Sequence, residues 1–158
     1  MWEHPLHFPL AAWTSVSVWG DRLWPELIGI LGWQDILLPP WTYFALTVIL
    51  LVVPLQRPNL GGAVRARVAV ITGLAVLGYV VTVYLIFFLT YTPLNIDHVR
   101  GVQGRYFVIA LPMAAIFLAS MTNVDLPRGV LATTAITGSL LSGITSFKAL
   151  LGAHWSVP

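Results

Sequence analysis

Arg100, Gln103, Gly104 and Arg105 stand together in the run Arg100-Gly101-Val102-Gln103-Gly104-Arg105-Tyr106-Phe107, with Asp97 and His98 just ahead of it. No other part of the chain is so densely polar. An arginine guanidinium is a planar fork that matches the oxygens of a phosphate, and Arg100 and Arg105 supply two. Gly101 and Gly104 allow backbone N–H groups to come close to an anion, as in a nest. The pattern is not a Walker loop, because no Gly-Lys-Ser/Thr ending follows. The structural alternative stands beside this chemistry: Arg105 reaches from a span end toward the headgroups and Asp97 pairs with Arg100. His98 beside Asp97 has the residue types for moving a proton, or is an exposed loop histidine.

Asp35 is the other polar candidate, at the start of an apolar run and beside Trp33. An acid there caps a helix and favours its dipole by ~0.3–1 kcal/mol. Service as a base toward a hydroxyl needs a partner that the sequence does not reveal. His4 and His7 share a helical face but lack a third ligand nearby, so no metal site is expected. No cofactor is called for.

Composition decides what must hold these residues. Of the 158 residues 58% are hydrophobic and 9% charged, far from the roughly 25% charged of soluble domains. The reading is an integral membrane protein. Eight Lys and Arg against six Asp and Glu give a net charge of +2, too small and too scattered for a nucleic-acid partner. There is no cysteine, which removes disulfides, thiolate metal sites and a thiol nucleophile. No basic residue precedes Arg22, so the charge order of a secretory leader is missing.

Four apolar spans are predicted, at about 37–55, 68–92, 106–121 and 129–151, of the length that ~30 Å of hydrocarbon asks of a helix. Spans of this length suit helices rather than barrel strands of about 10 residues. Pro39 and Pro40 fit the first turn of the first span, and Pro112 is expected to kink the third. Ahead of them, residues 1–36 carry most of the tryptophans among Pro5, Pro9, Gly20, Pro25 and Gly32. They read as an amphipathic, broken helix at the membrane interface. Leu6, Leu10, Trp13 and Trp24 fall on one face, and Asp21 is placed to cap a second short helix. The fold class is thus all-α, about four transmembrane helices preceded by a Trp-rich interfacial amphipathic helix, in a single membrane domain over 1–158.

Arg57, Arg65 and Arg67 lie between the first two spans without an acid, which marks a cytoplasmic connection. Parity then puts residues 93–105 and both termini on the outer face of the inner (plasma) membrane. Trp33, Trp41, Tyr91, Tyr106 and Trp155 all fall at the ends so placed, as an aromatic belt does. Lys148, near the outer end of the fourth span, is placed to reach the headgroups. Thr134, Gly138, Ser142 and Ser146 form a stripe of small groups on that span, suited to close packing against another helix. A chain that begins outside must push Glu3, Asp21, Arg22 and Glu26 across the membrane. That suggests the C-terminal part of a larger fold.

Two motifs carry a resemblance. Gly29-Ile30-Leu31-Gly32-Trp33-Gln34-Asp35-Ile36-Leu37-Leu38-Pro39, followed by Gly101-Val102-Gln103-Gly104-Arg105-Tyr106-Phe107, resembles two signatures of DUF2142, a family of predicted bacterial membrane proteins. The resemblance covers nearly the whole chain, with Gln34 where leucine is commoner. Family members are similar to GT-C glycosyltransferases, which take sugars from polyprenyl-phosphate carriers at the outer face and build envelope polysaccharide. The resemblance therefore implies a polyprenyl-phosphate-linked sugar as partner, beside membrane lipid and other membrane helices. It also implies that the usual catalytic acid, in a first outer loop, precedes this chain. Two hypotheses follow, a portion of a GT-C-like enzyme or a non-catalytic membrane subunit, scaffold or remnant.

The arginine asymmetry makes a direct prediction about topology. A single cysteine at Asn95 should react with an impermeant thiol reagent from outside, and one at Asn59 should not; the reverse result inverts the orientation.

Overall fold

The computed structural model describes residues 6–31, 36–93 and 96–155. Asp35, like Trp33 and His4, lies outside them. Among the described residues five α-helices run in the order α1 (His7–Gly29), α2 (Pro40–Val52), α3 (Gly62–Tyr91), α4 (Leu111–Met121) and α5 (Arg128–Trp155). Short 3-10 segments extend two of them, Val53–Leu55 after α2 and Gly104–Ala110 before α4. Among the described residues there are no strands, only the isolated bridges Leu31 with Ile36 and Gln56 with Val124. The chain is an all-α membrane protein.

Gly62–Tyr91, Gly104–Met121 and Arg128–Trp155 are each long and apolar enough to cross a bilayer, with mean hydropathies of 2.3, 1.6 and 1.4. Pro40–Leu55 is a shorter apolar helix. Its final 3-10 turn rises ~2.0 Å per residue, so the whole reaches about 26 Å and nearly covers the hydrocarbon. Pro40 stands in its first turn, where the missing N–H costs nothing.

Several boundaries differ from those expected. The helix predicted to be broken runs without interruption through Asp21 and Pro25. Proline removes one ladder bond there without ending the helix. α3 begins at Gly62 rather than Val68, which draws Arg65 and Arg67 into its first turns. Pro112 lies in the first turn of α4, at the junction where the 3-10 segment becomes α-helix. A proline that close to a helix start marks a change of helix type rather than a kink in a continuous one.

The ends of the spans are tied by polar contacts. Arg65 Nη1 donates to Asn123 Oδ1 at 2.7 Å and to the Thr122 carbonyl at 3.3 Å, joining the start of α3 to the end of α4. A cation is unfavourable near the positive end of α3 but favourable beside the negative end of α4. At the same end Gln56 Oε1 accepts the Leu126 N–H at 2.7 Å, and the Arg57 N–H donates to the Val124 carbonyl at 2.8 Å.

Packing is inverted relative to a water-soluble domain. Phe44, Ile71, Ile109 and Ile136 project outward, each at least 60% exposed, where lipid would surround them. Thr72, Ser120 and Thr145 are buried, and each hydroxyl donates to a carbonyl one turn back in its own helix. Close approach replaces apolar burial as the source of contact. Gly73 faces the Phe117 ring, and a side chain at Gly138 would come within 2.8 Å of Ile49 Cγ2. The small-residue stripe of α5 thus meets α2 at Gly138.

Gly138→Val should therefore lower the thermal midpoint in detergent, at a cost of about 1–3 kcal/mol for overpacking. Gly143→Val on the same helix meets open space and should change the midpoint little; equal effects would mean that α2 and α5 do not pack as described.

Candidate functional site

α1 presents one face to the rest of the protein, made of Ala11, Ser15 and Glu26, all buried. These positions share a side at helical spacing. Leu6, Leu10 and Trp13 occupy the opposite side and are largely exposed, while Trp24, on that side too, is 41% exposed and donates its Nε1–H to Thr47 Oγ1 of α2 at 2.9 Å. The apolar face read from the sequence is therefore real, and it is the face turned outward.

The segment after α3 folds back onto the inward face and is fastened at two points. Ser15 Oγ donates to the Ala11 carbonyl and accepts the Val99 N–H, both at 2.6 Å. Glu26 Oε2 accepts the Gly104 N–H at 2.7 Å. The other carboxylate oxygen of Glu26 takes the Arg22 Nε at 2.6 Å, one turn back in α1. Only 3% of the Glu26 side chain is exposed. A buried carboxylate is costly unless its oxygens are engaged, and here both are.

Gly104 has no room for any side chain. A Cβ built there would collide with the Leu23 carbonyl oxygen and stand 2.7 Å from the Leu27 nitrogen, and neither backbone atom can swing away. Gly101 has a φ of +85°, a conformation that L side chains rarely adopt, and lies against the Phe87 ring. Between the fastenings, Val99 joins Ala11, Tyr84 and Phe88 in a buried cluster. The Tyr79 hydroxyl donates to the Tyr106 carbonyl at 2.7 Å, and the Tyr106 ring stacks on Phe87 at 5.2 Å. Phe107 stacks on Tyr84 at 6.1 Å. These contacts fix the Gly-Val-Gln-Gly-Arg-Tyr run to both α1 and α3.

A cavity of about 110 Å³ remains under the loop, lined by Trp19, Arg22, Leu23, Glu26, Gly101, Val102 and Gln103. Gln103 Oε1 is buried and accepts no hydrogen bond among the described residues. The volume suits a few waters or one polar group, not a whole sugar.

The sequence candidates divide accordingly. Gln103 and Gly104 face α1 and the cavity. The anion that meets the Gly104 N–H is the chain's own Glu26, so this part of the nest is filled from within. Arg100 and Arg105 are exposed at the two ends of the fastened segment. The Arg105 guanidinium lies 5.8 Å from the Tyr106 ring centroid, within cation–π range. Asp97 is exposed and forms no ion pair with Arg100 among the described residues. His98 is half-buried, its ring 6.1 Å from Trp19. His7 sets an edge against Phe88 at 5.4 Å. Among the described residues no group of three His, Cys, Asp or Glu is arranged to hold a metal.

Ser15 and Glu26 were not singled out from the sequence. The available signal was their helical register with Ala11 and Arg22, on the side of α1 opposite Trp13 and Trp24.

The sequence model of one family, described as predicted membrane protein (DUF2142), matches residues 1–125. The resemblance read from the motifs extended further; the match stops before α5. No curated protein and no solved structure matches the chain.

Gly104→Ala should undock the loop, at about 3 kcal/mol, the upper part of the overpacking range, because only backbone opposes the new methyl. Val99, 1% exposed in the native fold, is the reporter: a cysteine there should stay unreactive with Gly104 and label rapidly with Gly104→Ala. Glu26→Gln, which keeps one acceptor oxygen, should give an intermediate rate. Unchanged protection in both variants would refute the docking.

Proposed function

The chain belongs to the DUF2142 family of predicted membrane proteins, and on that footing we propose that it serves a GT-C-like enzyme of envelope polysaccharide synthesis. Its part is to receive the phosphate of a polyprenyl-linked sugar at the outer face of the plasma membrane. The observation that carries this reading is the disposition of Arg100 and Arg105. Both are exposed, neither is ion-paired among the described residues, and both flank a segment held rigidly on α1 and α3. Two cations without an ion pair among the described residues, at the end of membrane spans, suit a phosphate at headgroup depth, and the fork of arginine suits it better than lysine. Gln103 is assigned to one polar group of the carrier, since its buried carbonyl oxygen has an unused acceptor and the cavity beside it admits no more than that. Gly104 and Glu26 hold the loop in place. Asp97 and His98 lie on the outer rim of the same segment.

A second reading is a non-catalytic membrane subunit or scaffold that binds other membrane helices. Two of the loop's own N–H groups favour it, since those of Val99 and Gly104 already meet Ser15 and Glu26, as in a structural joint.

Arg105 separates the two. Membranes with matched protein levels should form polysaccharide, or bind a polyprenyl-phosphate sugar, about five- to thirtyfold less well for Arg105→Lys, a loss of about 1–2 kcal/mol. Arg105→Ala should lose more. Equal activity of wild type and the lysine variant would remove Arg105 from phosphate binding and leave the scaffold.

A further inference from the structure

Between the start of α2 and the C-terminal half of α5 lies a groove of about 460 Å³, which shares no lining residue with the cavity under the loop on α1. Its walls are mostly apolar, with Leu38, Leu141 and Ile144 within and Trp41 at the side. One cation lines it, Lys148. No ion pair holds Lys148 among the described residues.

Depth follows from helix geometry. Arg128 and Lys148 lie about 30 Å apart along α5 at ~1.5 Å per residue, which is the thickness of the hydrocarbon core. With Arg128 at one boundary, Lys148 stands at the other. Trp41 shares that level because it lines the same groove, and tryptophan favours the interface. α2 begins there without a side-chain cap, so the positive end of its dipole adds to the charge of Lys148. A cation at headgroup depth above an apolar slot has the two parts of one amphiphile's complement. An inorganic anion would leave the slot empty, and a neutral lipid would leave Lys148 unmatched.

We propose that the groove between α2 and α5 is a binding site for an anionic phospholipid, its phosphate on Lys148 and an acyl chain along Leu38, Leu141 and Ile144. The site is separate from Arg100 and Arg105 and stands whether or not those bind a carrier. It draws on α5, which lies beyond the family match at residues 1–125.

The test uses the full chain purified in a neutral detergent and titrated with phosphatidylglycerol or phosphatidylcholine, bound lipid being counted by native mass spectrometry. Wild type should hold phosphatidylglycerol about fivefold more tightly, the effect of one cation near an anionic headgroup. Lys148→Gln should erase the preference and Lys148→Arg should keep it. Ile144→Trp, which fills the groove from an exposed position, should reduce retention of both lipids. A preference that survives Lys148→Gln, or retention undiminished by Ile144→Trp, would mean annular lipid only and overturn the site.

Discussion

Where the chain leaves α3 and turns toward the Gly104–Ala110 segment, it must satisfy the N–H groups of an irregular stretch at the edge of an apolar bundle. It does so with two side chains of α1, Ser15 at Val99 and Glu26 at Gly104. An unpaired N–H in such surroundings costs free energy comparable to a lost hydrogen bond. Everything around the candidate site depends on this fastening. It joins α1 to the segment after α3, it forms one wall of the small cavity beside Gln103, and it leaves Arg100 and Arg105 exposed. Gly104 is the geometric condition for it, since the backbone of the motif touches the backbone of α1 with no space for a side chain.

The remainder of the bundle is held by a different economy of contacts. Lipid tails are as apolar as leucine, so burying leucine between helices gains little. What counts is approach at Gly73 and Gly138, hydroxyls that satisfy themselves within their own helices, and polar ties at the span ends. Gln56 and Thr122 bind the connection after α2 to the connection after α4, and Arg65 ties the start of α3 to it. The loop on α1 does the same at the opposite end of α3. The bundle is thus clamped at both ends of its spans and packed by shape between them.

The two sites differ in their relation to the family. The fastened loop and its α1 face lie wholly within the matched residues, so the joint between Glu26 and Gly104 falls in the part that the family shares. The groove at Lys148 is built half from α5. Features that lie on the matched residues bear on what family members have in common, while the groove concerns this chain.

Sequence alone determined that this is a helical membrane protein, because the cost of unsatisfied backbone groups in hydrocarbon leaves long apolar segments no other regular form than helices. Composition, the apolar character of the long segments and the Gly-Val-Gln-Gly-Arg-Tyr run could all be read without coordinates. So could the two faces of α1, since a period of 3.6 separates Leu10 and Trp13 from Ser15 and Glu26. Tertiary structure decided which face turned inward, that α1 passes unbroken through Pro25, and that Gly104 gives its N–H to Glu26, far away in sequence. Local patterns report on neighbours within a few turns. A carboxylate on one helix and a glycine that must press against it are brought together only by the packing of the whole chain, and nothing in either residue's own surroundings names the other.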